Sequence, residues 1–174
     1  MKILDREMLD RLASRAASSP RGRANENVHE DLEDPIQRFA NALEPGTYVR
    51  PHRHADPPRW ELFLALRGGA AVLVFNEEGC VLERVEISAE ADTWGVEVPG
   101  GKWHTLAALE PGTVLFELKP GPYRPASDKE FAPWAPAEGE PACGAYEGWF
   151  RAAQPGDGPE DAQCPRDAES APCP

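Results

Sequence analysis

Between Trp60 and Lys119 the chain is a succession of short runs rich in Val, Leu, Phe and Trp: WELFLAL, AAVLVF, CVLERVEI, WGVEV, WHTLAAL and TVLFELK, each cut off by turn residues. No segment between them has the length and 3.6-residue periodicity of a crossover helix, so successive strands must be joined by turns in mostly antiparallel sheets. NEEG supplies one hairpin connection, and PGG and EPG supply others. The chain is thereby confined to an all-β sandwich or barrel. At 174 residues it has room for one domain with a sizeable core.

The flanks read differently. Residues 3–17, ILDREMLDRLASRAA, place Leu4, Met8 and Leu12 at helical spacing, an amphipathic helix that SSPRG stops. NENVHEDLEDP is polar and reads as an irregular arm, which makes a polar loop the expected home of His29. IQRFANAL reads as a further strand. After Pro120 the proline-rich GPYRPASDKEFAPWAPAEGEPA suggests an arm wrapping the barrel on Tyr123, Phe131 and Trp134, followed by a short helix around AYEGWFRAA. The expected organisation is an N-terminal helix and connection (1–24), a β-barrel (25–120), a C-terminal arm (121–153) and a disordered acidic tail (154–174).

Thirty acidic against eighteen basic residues give a formal charge of −12, a field that repels phosphate backbones and anionic membranes, so nucleic acid is not an expected partner. No apolar run approaches the roughly 18 residues of a membrane span, and MKILDREMLDR carries charge where a signal peptide is apolar, so the expected setting is cytoplasmic. Cys80, Cys143, Cys164 and Cys173 have neither zinc-ribbon spacing nor the density of a disulfide scaffold, and free thiols are expected.

Chemistry concentrates in YVRPHRHADPPRWELFLALRG. In an extended segment alternate side chains share a face, so His52 and His54 point together, with Tyr48 and Arg50 in line behind them. GVEVPGGKWHT adds His104, and Glu61 opens WELFLAL. Three imidazoles and a carboxylate suit one divalent transition metal ion per chain, whether Zn, Ni, Fe, Mn or Co. Asp56, in the intervening loop, is the competing carboxylate. Tyr48 and Glu117 are the candidate proton carriers, and Arg50 and Lys119 the candidate substrate-binding residues.

These residues resemble the two motifs of the cupin superfamily. Gly46, His52, His54, Glu61 and Gly68 fit the first, except that six residues, ADPPRW, separate His54 from Glu61 and amount to an insertion. Pro99, Gly101 and His104 match the second, with Gly95 displaced and Ala108 where an Asn is usual. DPIQRFANALEPGTYVRPHRH, WELFLALRG, FELKPGPYRPASDKEFAPWAPAEG and SPRGRANENVH are further similar to the WbuC-type cupin fold metalloproteins, over about residues 1–150.

That resemblance implies a cupin jelly-roll barrel in a bacterial cytosolic protein, a metal on His52, His54, Glu61 and His104, and a setting in surface polysaccharide synthesis of the O-antigen type. The enzyme reading is a metal-dependent isomerase, epimerase or lyase acting on a sugar or sugar-nucleotide-like small molecule. The alternatives are an iron-dependent oxygenase and a non-catalytic binding or sensing protein. A homodimer is a further possibility that the family's habit suggests.

Overall fold

The computed structural model describes residues 1–124, 128–160 and 162–164. Its first element, α1 (Arg6–Ala17), begins where the Asp5 side chain accepts from the Met8 N–H at 2.9 Å, a side-chain cap on an otherwise orphaned donor. Met8, Leu12 and Ala16, four residues apart, are its buried face.

Among the described residues ten strands follow: β1 (Arg23–Asn27), β2 (Ile36–Leu43), β3 (His52–Arg53), β4 (Glu61–Arg67), β5 (Gly69–Phe75), β6 (Val81–Ser88), β7 (Gly95–Val98), β8 (Trp103–Ala108), β9 (Thr113–Pro120) and β10 (Glu130–Phe131), with α2 (Cys143–Ala152) after them. They form two five-stranded sheets in the orders β1-β2-β9-β4-β7 and β10-β3-β8-β5-β6, and every strand pair is antiparallel. The chain passes repeatedly from one sheet to the other, which is the jelly-roll arrangement the motifs imply.

Three apolar clusters hold these layers. Leu43, Phe63, Val72, Ile87, Val98, Leu106 and Leu115 fill the space between the sheets. Ala40, Ala42 and Val114 meet the buried face of α1 on the outside of the first sheet. On the outside of the second, Leu73, Phe75, Trp103 and Ala107 are covered by Ala132, Ala135 and Phe150 of the C-terminal segment. All six residues of β8 are therefore buried, which explains why WHTLAA has no polar alternation: both of its faces are covered.

Three expectations need correction. RANEN forms a strand, β1, antiparallel to β2, although it was expected to be irregular from Asn25 onward; only Ala24 packs against the α1 cluster, so its sequence lacks an apolar face. Phe131, expected as an anchor, is 49% exposed. Cys80 and Cys164 are joined by a disulfide rather than free, while Cys143 remains a thiol.

That disulfide ties part of the expected free tail to the barrel. Val81 donates its N–H to Asp157 O at 2.8 Å, and Gly156 donates to Val81 O at 2.9 Å. Pairing of this kind depends on residues 84 apart in sequence, so no local spacing signals it. The arm residues 125–127 and the tail residues 161 and 165–174, Cys173 among them, lie outside the described residues.

Candidate metal centre

β3 pairs with β8 through His52 and His104, which places two imidazoles side by side across a ladder. His54 follows as the chain leaves β3. The insertion ADPPRW then closes on itself: Ala55 bridges Pro58, and the Arg59 and Gly101 N–H groups both donate to His54 O, at 3.2 and 3.0 Å. Because the extra residues are taken up in this turn, Glu61 enters β4 facing inward, opposite Val98 of β7. Asp56, the competing carboxylate, is exposed and lies outside the cluster.

One ligand atom from each of His52, His54, Glu61 and His104 lies within 4.8 Å of the others, and all four side chains are buried. The hydrogen-bond partners assign the tautomers. His52 Nδ1 is 3.0 Å from Arg50 O, His104 Nδ1 is 2.8 Å from Lys102 O, and His54 Nδ1 meets Asp128 O. A carbonyl oxygen only accepts, so each Nδ1 donates, and each neutral ring keeps its lone pair on Nε2.

Those lone pairs converge. His54 Nε2 is 2.9 Å from Glu61 Oε1, His104 Nε2 is 2.8 Å from Glu61 Oε2, and His52 Nε2 is buried with no partner among the described residues. Burial, with Lys129 and His104 nearby, pushes the His52 imidazole well below its ordinary pKa, so that it stays neutral. In the neutral form that metal ligation requires, Nε2 lone pairs set against carboxylate oxygens are acceptors facing acceptors. Such a set fits a cation between them, with each outer N–H held by a backbone carbonyl. The cluster could hold a metal ion on all four residues.

A second layer of charge surrounds it. Lys119 Nζ donates to Glu61 Oε1 at 3.1 Å and to Asp128 Oδ2 at 3.2 Å, and lies 3.6 Å from Glu117 Oε1. Burial would lower the Lys119 pKa, but those three carboxylates raise it above its usual value. Burial likewise works to raise the Glu61 carboxyl, but Lys119, His104 and His54 together outweigh it and hold Glu61 well below the usual range. Glu117, which accepts from Asn41 Nδ2 at 2.6 Å, is pushed up to about 8 by burial and by the charge of Glu61.

Asp128 is the residue that sequence reasoning missed. Its backbone carbonyl fixes His54, while its buried carboxylate pairs with Lys119 and with Arg59 Nη1 at 3.2 Å. Nothing in PASDKEF distinguishes this aspartate from a solvated one.

The site opens on a cavity of about 470 Å³, whose lining includes His52, Glu61, Phe63, His104, Glu117 and Lys119. Glu117 and Lys119 thus line the cavity beside the cluster. Tyr48 and Arg50 do not. Tyr48 stacks on Phe150 and donates its hydroxyl to Pro136 O at 2.8 Å, within the cluster outside the second sheet. Arg50 donates to Ala132 O at 3.1 Å and lies over the Phe131 ring. Residues 48–51 are not in a strand, so the alternation that aligned them with His52 stops at β3; Val49 lines the cavity instead. His29 lies in the loop after β1, as expected, but it is buried and lines the cavity.

Strand order and the imidazole–carboxylate quartet together define the class: a jelly-roll barrel of the cupin kind with a buried cluster able to take one metal ion. Comparison with known proteins adds detail on relatives. Residues 4–87 match a family described as a domain of unknown function (DUF6016), a match that takes in His52, His54 and Glu61 and ends before His104. No curated protein matches the chain in sequence. Among solved structures, KdgF from Halomonas sp. is 18% identical with a TM-score of 0.47, covering 62% of this chain and 85% of its own. A cupin superfamily protein from Desulfitobacterium hafniense is 16% identical, TM-score 0.47, covering 63% and 86%. TT1209 from Thermus thermophilus is 20% identical, TM-score 0.49, covering 69% and 97%.

Proposed function

We propose that this chain is a metal-dependent cupin enzyme acting on a sugar-like small molecule, of isomerase, epimerase or lyase type. The observation that carries the metal is the convergence of three Nε2 lone pairs, one of them without a partner, on a buried carboxylate. When bound, the ion would polarise a coordinated oxygen and lower the pKa of bound water. His52, His54, Glu61 and His104 would hold it.

The chain's own residues supply the rest. The cavity sets Glu117 beside Lys119, a carboxyl and an ammonium 3.6 Å apart, as the pair to move a proton at a ligand oxygen or its neighbouring carbon. Phe63 and Leu106 add apolar surface to the same space. An enclosed acid–base pair favours turnover over simple carriage, because a carrier needs no group to exchange protons with its ligand.

The resemblance to the WbuC-type metalloproteins supports a setting in bacterial surface polysaccharide synthesis. The test has two stages. Elemental analysis of purified protein should find close to one transition metal ion per chain; no bound metal, and no uptake from zinc or nickel, rejects the reading. A thermal-shift screen of the metal-loaded protein against free sugars, nucleotide sugars and small carboxylic acids should then give a specific stabilisation. A hit that is bound but never converted, under any of the five metals, favours the non-catalytic alternative.

A further inference from the structure

His29 sits at the edge of the first sheet, just past β1. Arg38 of β2 turns both of its backbone groups toward that edge. Its carbonyl accepts from Val28 N–H at 2.8 Å and His29 N–H at 3.2 Å, while its own N–H lies 3.1 Å from His29 Nδ1. His29 Nδ1 also lies 2.9 Å from the Arg38 carbonyl, but that oxygen already receives two backbone N–H groups. The Arg38 N–H needs an acceptor, so Nδ1 accepts and the proton sits on Nε2. This is the opposite tautomer to that of the three clustered histidines.

The consequence is a stranded donor. His29 Nε2 is sealed from water and meets no acceptor among the described residues, although the ring lines the cavity. A buried donor left this way costs about 1–3 kcal/mol, which a ligand oxygen would recover. His29 is not among the residues whose ligand atoms converge with Glu61. Strand pairing runs Asn27, Phe39, Glu117, Phe63 across β1, β2, β9 and β4, and three strand spacings make a chord on the order of 14 Å.

The lining between the two ends identifies the chemistry. Asn25, Asn27 and Asn41 offer amides that both donate and accept, as hydroxyl groups require, and Phe39 offers an apolar face. Lys129 adds positive charge, which suits an acid.

We infer that His29 is a specificity-determining residue whose Nε2–H donates to an oxygen of a polyhydroxylated carboxylate, at the end remote from the metal. The inference rests on the metal-cupin reading only for what holds the ligand's other end. D-gluconate is the probe, titrated calorimetrically into zinc-loaded full-length protein. His29→Asn keeps an amide where Nδ1 stood and removes the donor at Nε2; His29→Gln keeps a donor near Nε2 and gives up the acceptor for Arg38. Gluconate affinity should fall about tenfold in His29→Asn and stay within about threefold in His29→Gln, whereas melting temperature should fall more in His29→Gln.

A purely structural His29 would move the melting temperatures and leave the affinities alike, which overturns the inference. So does a wild-type protein that does not bind gluconate, or an Nδ1–H tautomer at His29 in imidazole proton–nitrogen NMR couplings. Zinc content, measured on each protein, separates the two readings. Wild type without zinc defeats the metal reading, and the ratio of gluconate affinities between His29→Asn and wild type still decides His29.

Discussion

His52 and His104 face each other across the β3–β8 ladder with their ring centroids 4.5 Å apart. Because this pair is fixed by register, the two imidazoles stand together before any ion is present, and a one-residue slip of either strand would turn a ring away. The same holds for Glu61, which β4 keeps in register against Val98. Preset ligands of this kind concentrate the effect of a substitution in the ligand itself.

Glu61→Gln should weaken zinc binding about tenfold or more, since an anionic ligand gives way to a neutral one. Asp56→Asn, altering an exposed turn, should change it by less than about twofold. Competition titrations with a chelating dye measure both. Equal effects would mean that Glu61 does not contribute to the site.

Tyr48→Phe should leave zinc content unaltered and cost about 1 kcal/mol of stability, the worth of the hydroxyl's bond to Pro136 O. Urea unfolding monitored by tryptophan fluorescence gives the second quantity. Loss of metal from this variant would return Tyr48 to the site.

Asp128→Asn should destabilise the protein by about 3 kcal/mol, because Arg59 and Lys119 would each lose a buried carboxylate. Its backbone carbonyl still meets His54, so a variant that folds should still take up one zinc. A denaturation midpoint equal to that of wild type would contradict the pairing.

Reduction of the Cys80–Cys164 disulfide, or replacement of both residues by serine, should lower stability by about 4 kcal/mol, given the long loop it closes. Intact mass with and without reductant, after alkylation, counts the thiols directly. Such a bond sits poorly with a reducing cytosol, so the oxidation state in cells also bears on where the protein works.

The strands and the metal-site quartet could be read from sequence for related reasons. Apolar runs cut by turn residues mark β4, β5, β6, β8 and β9, and three of four histidines fall in two spaced motifs. β1 escaped because RANEN has no apolar face to detect. Tyr48 and Arg50 were misplaced by extending strand alternation through residues 48–51, which are not in a strand. Asp128 and Cys164 could not be placed at all: Asp128 acts on His54 and Arg59, and Cys164 on Cys80, all far away in sequence, and neither has a distinctive local setting. The role of His29 depends on Arg38, a contact that forms only when β1 reaches β2.

The carbonyl of Asp128 sets a timetable for the site. All four ligands have been synthesised once His104 is made, yet the oxygen that fixes the His54 ring belongs to a residue added 24 positions later. A nascent chain halted shortly after β8 would own every ligand and still leave His54 free to rotate and to exchange tautomers. A metal ion would therefore find its final geometry only after β9 and the turn beyond it have left the ribosome, which would make loading a late event in the life of the chain.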